Sequence, residues 1–413
     1  MSTFHSLQQG LHWLPKQKAF DQNRHIIHSQ LTGEERLIYV RKAVNFFFLA
    51  GIGFSINLWI SDRSFPLLPV LPFLPASAHS INYALLLLLV ILLISSLFFS
   101  KKTIDILIIL LALILLLQDQ NRWQPWVYIY FLFLLPFGLW WKGRGTGPPM
   151  ISYFQIILIG IYAWSGVHKL NPNFINTTFH EIITQFFWFK DVHWISTLNL
   201  FGYAIPGIEI GIAMTLFLPT SFRNLAVYVA ILTHIFILFF LSPLGIDSNS
   251  VVYPWNLAMI TLVFLLFHNV SGPIALWGGG PFPILHAAGI LLTWILPVLN
   301  FWGYWDNYLS FNLYSGKPHA FYIAVADNEL SKIDRRLSES FLTIKGMRGG
   351  KIIDVNKWAM NELNVPFYPE TRTLKKIAAP FCKLGIAEGQ LYFLEFELPF
   401  RKGKFLRFSC QDI

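Results

Sequence analysis

The chain has 413 residues, of which 54 % are hydrophobic, 17 % aromatic and only 13 % charged, with a formal net charge of +9. That share of charge is about half of what a soluble globular protein carries. The apolar content excludes intrinsic disorder, two cysteines exclude a disulfide scaffold, and continuous rather than alternating apolar runs exclude a membrane β-barrel. What remains is an α-helical polytopic membrane protein.

Residues 1–42 are polar and basic and show no short apolar core with a small-residue cleavage site, so the first span is expected to act as a retained anchor. Within this segment Phe4, Leu7, Leu11 and Leu14 share one helical face suited to lying along the membrane surface; a frayed terminus is the duller alternative. A bilayer is crossed by about 20 mostly apolar residues. Nine stretches qualify: 44–60, 82–99, 103–118, 126–141, 150–167, 200–219, 224–242, 252–268 and 283–302. Between the fifth and sixth, residues 172–199 mix Phe and Trp with Asn, His, Glu and Lys, which suits an interfacial segment better than a tenth span.

Orientation follows from Lys and Arg in the short loops. One side collects Lys16, Lys18, Arg24, Arg36, Arg41, Lys42, Lys101, Lys102, Lys142, Arg144 and Arg223, and the other Arg63, Arg122, Lys169 and Lys190. This asymmetry places the N-terminus in the cytoplasm. With an odd number of spans, residues 317–413 then lie on the extracytoplasmic side of the inner membrane. That tail carries 16 Lys+Arg and 11 Asp+Glu and reads as a small α+β domain. Strands are expected at Phe321–Val325, Gln390–Glu397 and Lys404–Ser409, and helices at Leu330–Phe341, Asn356–Leu363 and Thr371–Leu384. Cys382 and Cys410 both fall in it; an exported location permits a disulfide, and two unrelated thiols are the alternative. The positive balance is a topology signal and not a nucleic-acid footprint. The chain thus divides into 1–42, a membrane domain 43–316, and the tail domain 317–413.

Under this topology three polar clusters share the outer face: residues 118–126 with Asp119, Arg122, Trp123 and Trp126; residues 165–172 with His168 and Lys169; and residues 241–256, ending in Trp255 and Asn256. They are expected to converge on an outward-facing cavity, or else to be ordinary polar connections with belt tryptophans. Lys169, beside an apolar span, is either a desolvated amine able to act as a base or a snorkelling anchor. Glu209 lies inside the sixth span, where a carboxylate is functional by default or partners an Arg or a backbone group. His234 sits mid-span in the seventh, as a ligand contact or a satisfied interhelical histidine. No HExxH or zinc-spaced cysteine pair occurs, and no metal is predicted.

The stretches DQNRWQPWVYIY (119–130), YAWSGVHKLNPNF (162–174), THIF around His234, VVYPWN (251–256), WDNYLSFNLYSG (305–316) and NKWAMNELNVPFYPETRTLKKIAAPFC (356–382) together resemble the vitamin K-dependent γ-carboxylase superfamily, in its bacterial horizontally transferred transmembrane branch. The resemblance covers most of residues 36–413. It implies that Lys169 is the base that deprotonates a reduced quinone of the vitamin K hydroquinone type, with His234 near the quinone. Trp126 stands where the carboxylases have a histidine, and His168 where they have a second lysine. Indole does not accept a proton as imidazole does, and the tail domain 317–413 has only 97 residues. The resemblance therefore implies a quinol site more than carboxylation of a tethered glutamate. Two functions follow: a quinol-dependent membrane enzyme acting on a lipid-soluble substrate, or a non-catalytic lipid- or quinone-binding protein or partner platform of the same fold. A transporter ranks third, because few charges lie along the spans and no internal repeat is seen.

Overall fold

The structure, a computed structural model, describes residues 31–71, 78–140, 147–180, 183–184, 198–199, 201–243, 249–276, 283–317, 319–342, 349–396 and 405–413. The proposed surface helix at Phe4–Leu14, and most of the segment 181–200, lie outside these. The membrane portion is a helical bundle: α1 (Gly33–Phe54), a short α2 (Ile56–Trp59), α3 (His79–Phe98), α4 (Lys102–Gln118), α5 (Pro125–Trp140), α6 (Gly147–Lys169), α7 (Ala204–Leu216), α8 (Thr220–Leu241), α9 (Val252–Phe267) and α10 (Pro283–Ile290). The last of these runs on in π and 3-10 geometry to Trp302. Five helices are long and apolar enough to cross a membrane: 33–54, 79–98, 147–169, 220–241 and 283–302. Helices α5, α7 and α9 are apolar but shorter, and α4 has 17 residues.

The first helix starts eleven residues before the apolar stretch that begins at 44. Thr32 and Glu35 form a reciprocal capping box, each satisfying a backbone donor of the other. Its charged opening turns are therefore part of the helix, and the boundary at 42/43 falls within it. Helix α1 packs against α3, α5, α6 and α9, and α6 runs along α7.

One end of the bundle is closed by buried arginines that take up the carbonyls left unpaired where helices stop. Arg36 donates to Leu265 O at 2.7 Å, Arg41 to Ser96 O at 2.7 Å, and Arg223 to Leu216 O at 3.0 Å and Val270 O at 2.8 Å. Three of the cations counted for orientation thus serve helix ends.

The opposite end carries the tail domain. Its antiparallel sheet is ordered β2-β3-β1-β4-β5 (Phe341–Leu342, Gly350–Asp354, Ala320–Ala326, Leu391–Phe396, Phe405–Phe408), joined by α11 (Val355–Leu363) and α12 (Thr371–Cys382). The helix expected at Leu330–Phe341 is two 3-10 turns, Asp327–Lys332 and Arg335–Ser340. Asp334 explains the break: its side chain accepts from Arg336 N at 2.9 Å, a cap in place of a helix interior. Cys382 and Cys410 form a disulfide with Cα atoms 5.5 Å apart, tying the chain end to α12.

Candidate functional site

The tail domain is seated on the bundle by polar contacts to three loops. Gln124 donates to Pro366 O at 3.0 Å, Tyr368 N to Asn121 Oδ1 at 3.1 Å, and Asn364 Nδ2 to Phe54 O and Ser250 Oγ, both at 2.7 Å. Glu362 receives Ser64, the Phe65 amide at 3.0 Å and the Trp358 indole at 2.9 Å. Asn171 donates to Ser315 O at 3.1 Å, and Gly316 lies so close to Asn173 that a Cβ would stand 2.9 Å from its carbonyl. The three polar clusters therefore share one end of the bundle, the first and third beneath the tail domain and the second against the stretch 315–316 that leads into it.

Within that end the candidate residues separate into groups. Asp119 is wholly buried and pairs with Arg63, while its Oδ1 accepts from Leu68 N at 3.2 Å and Asn121 N at 3.0 Å. Arg122 donates to Leu58, Leu115 and Trp59 carbonyls at 3.0, 2.8 and 2.9 Å, closing helix ends as the arginines opposite do. Burial lowers its guanidinium to about 10, with Asp119 opposing that shift and Arg63 adding to it. The Trp123 indole donates to Leu116 O at 3.1 Å. The bonds of this group run to neighbouring loops and helix ends of the chain itself.

Trp126 belongs to an aromatic cluster with Phe48, Trp59 and Tyr130 at centroid distances of 6.3, 6.4 and 6.0 Å, and Trp255 lies 6.0 Å from Tyr130. His168 is fully buried against Phe301, with ring centroids 5.1 Å apart. Its neighbour Lys169 points to a different face of α6.

On that face Tyr162, Ser165 and Lys169 are spaced to stack along one side of the helix. Lys169 Nζ donates to Ser165 Oγ at 2.6 Å and to both carboxylate oxygens of Glu209, at 2.9 and 2.8 Å. Gly166 permits this approach of α6 and α7: a Cβ there would stand 2.7 Å from the Ile210 side chain and 2.9 Å from Pro206 O. The pair is nearly closed, with side chains 8 % and 11 % exposed. The adjoining Leu170 and Ile208 are exposed at the bundle surface, so the pair lies just behind it.

The second polar group is a chain of three. Tyr162 Oη lies 2.8 Å from His234 Nε2, His234 Nδ1 lies 2.7 Å from Asn256 Oδ1, and Asn256 Nδ2 donates to Val252 O at 2.7 Å. Tyr162 and Lys169 share one face of α6, which sets the two groups side by side. The structure thus brings Lys169, Glu209, His234 and Asn256 into one region and leaves Asp119, Arg122, Trp123 and His168 outside it. Tyr162 and Ser165 were not singled out from sequence, although their spacing to Lys169 on a single helix face is a readable signal.

A small apolar pocket is lined by Pro136, Pro149, Met150, Tyr153 and Leu285, toward the other end of α6. It contains none of these polar groups.

No family model, curated protein or solved structure matches this chain.

Proposed function

We propose that this chain is a multi-pass inner-membrane enzyme of nine spans that uses Lys169 as a base on a bound quinol or a comparable lipid-soluble hydroxyl compound. Its N-terminus faces the cytoplasm and its tail domain the opposite side. The observation that carries the reading is the Lys169–Glu209 pair, 2.8 Å apart between two otherwise apolar helices. Ionisable groups in such a place are costly and are retained for function. The resemblance described above points to the same lysine.

The donor set suits a hydroquinone, because an amine with a carboxylate beside it can accept a proton and pass it on, and the flanking surface is apolar. When bound, a hydroquinone supplies an acidic hydroxyl and the redox chemistry that follows its ionisation. Lys169 becomes a base once its ammonium has given a proton to Glu209, its nearest acceptor. The free amine, still held by Ser165 Oγ, then takes up the substrate's hydroxyl proton. Lys169→Ala should abolish turnover while leaving expression and ligand binding nearly normal; unaltered turnover would sink the base assignment. Orientation is tested separately, since a membrane-impermeant thiol reagent should label reduced Cys410 from outside intact cells. Labelling only after permeabilisation reverses the topology.

One observation favours a second reading, a non-catalytic lipid- or quinone-binding protein or partner platform. All donors of the Lys169 ammonium are already engaged, as in an ion pair that serves only to hold α6 to α7. Mass spectrometry of co-purifying small molecules separates the two: a bound quinone supports the enzyme, phospholipid alone the binding protein.

A further inference from the structure

The hydrogen bonds around His234 fix its tautomer, and the tautomer fixes what Tyr162 can offer. Asn256 Nδ2 donates to Val252 O at 2.7 Å, so the amide oxygen must be the atom facing His234 Nδ1. Rotating the amide would set its oxygen against the Val252 carbonyl, acceptor on acceptor. Nδ1 therefore carries the hydrogen. The ring is buried and, among the described residues, bonded by no carboxylate; the neutral imidazole keeps its lone pair on Nε2. The Tyr162 hydroxyl, 2.8 Å away, must then donate to Nε2.

The single donor of Tyr162 is spent in consequence. The donors of Lys169 go to Ser165 and Glu209, that of Tyr162 to His234, and one of the two Asn256 amide hydrogens to Val252. Among the described residues no other hydrogen bond is made to Tyr162 Oη, so its lone pairs are unused. What the region can still do at Tyr162 is accept.

We propose that Tyr162 Oη is a fixed hydrogen-bond acceptor that selects a ligand bearing a hydroxyl over the same ligand bearing a carbonyl, with His234 and Asn256 as the positioning residues. The inference rests on the reading that a lipid-soluble ligand sits beside Lys169. A hydroxyl donates to Tyr162, whereas a carbonyl would set its lone pairs against those of the phenol oxygen and leave both polar atoms unpaired. The site would thereby distinguish the two oxidation states of one ring compound at a single oxygen atom.

The test measures anaerobic binding of a naphthohydroquinone and of the corresponding naphthoquinone to the full chain in lipid nanodiscs, read by quenching of tryptophan fluorescence. Wild type should bind the reduced form about tenfold tighter or more, the worth of one hydrogen bond and an avoided unpaired group. Tyr162→Phe should bring the ratio close to one, by weakening the reduced form alone. Asn256→Leu keeps the phenol but frees the tautomer, and it should also lower the ratio; this second variant carries the test where Tyr162→Phe does not fold. Equal affinity of the two forms in wild type, or a ratio unmoved by both variants, overturns the inference and leaves the ligand reading in place. Binding of neither form overturns both.

Discussion

Two buried ion pairs stand at opposite ends of the bundle, and they are built differently. At the end where α1 begins, Arg41 engages both oxygens of Asp105 at 2.9 and 3.0 Å and also donates to the Ser96 and Phe99 carbonyls at 2.7 and 3.3 Å. At the other end Lys169 has Glu209 and the Ser165 residue of its own helix. A guanidinium is planar, always charged and pre-shaped for a bidentate carboxylate, whereas an ammonium is a point charge that can give up its proton. The first pair is therefore a rivet between α1, α3 and α4. The second joins a cation that has a neutral form to a carboxylate and to a hydroxyl of its own helix. Burial is alike in the two; the chemistry of the cation separates structure from reactivity.

The sharpest way to break this contrast is to remove each carboxylate in turn. Asp105→Asn strands a buried guanidinium that has no neutral form to adopt, and it should cost about 3–5 kcal/mol of stability. Glu209→Gln leaves a lysine free to lose its proton and still bonded to Ser165, so about 1–2 kcal/mol should suffice. Thermal unfolding of both variants in the same detergent gives the comparison. Equal losses would make Lys169–Glu209 a second rivet.

The same contrast explains what was legible in the sequence. Lys169, Glu209, His234 and Asn256 stand out because each interrupts an apolar run, where polar groups are few. Their pairing does not, since Lys169 and Glu209 lie 40 residues apart and Tyr162 and His234 lie 72 apart. Tyr162 does not stand out, because tyrosine is ordinary near membrane interfaces and nothing local marks its hydroxyl as bonded. Arg36, Arg41 and Arg223 were counted for the side they lie on. That they close helix ends depends on where α3, α7 and α9 stop in space.

In the tail domain, alternation revealed the strands at Phe321–Val325 and Gln390–Glu397, and the register confirms Ile323 opposite Phe393. The strand Gly350–Asp354 was missed: five residues, opening with glycine and lysine, carry almost no alternation. Its neighbour Phe341–Leu342 is shorter still and, among the described residues, pairs through Ile352 and Ile353.

A smaller effect sharpens the contrast through the backbone. Gly166→Ala places a methyl 2.9 Å from Pro206 O, which belongs to a helix main chain and has little room to yield. Separating α6 from α7 should cost about 1–3 kcal/mol and lengthen the Lys169–Glu209 contact. The Arg41–Asp105 end should be untouched. Under the proposed base role, the variant should therefore lose turnover out of proportion to its loss of stability, compared by turnover and unfolding on one preparation. A parallel fall in both would mean that the close approach serves packing alone.

The smallest effect lies outside the bundle, where a third carboxylate contrasts with the other two. Glu370 accepts from the Asn307 amide at 2.7 Å, pinning α12 to the loop that follows the last membrane helix. Burial raises its pKa above the usual 4.5; the bond from Asn307 N–H opposes that shift, and nearby Asp306 adds to it. A carboxyl whose pKa is higher folded than unfolded contributes its stability in full below the unfolded value and loses it as pH rises through the folded one. Seating of the tail domain should thus weaken as pH climbs out of the ordinary glutamate range. Glu370→Gln keeps an acceptor for Asn307 while removing the titration, so it should flatten that part of the pH profile. Unfolding midpoints of wild type and variant across the acidic range measure the difference, and parallel profiles would exclude Glu370 as the source. Unlike Asp105, this carboxyl can take up a proton without leaving a cation stranded; unlike Glu209, it has no lysine with which to share one.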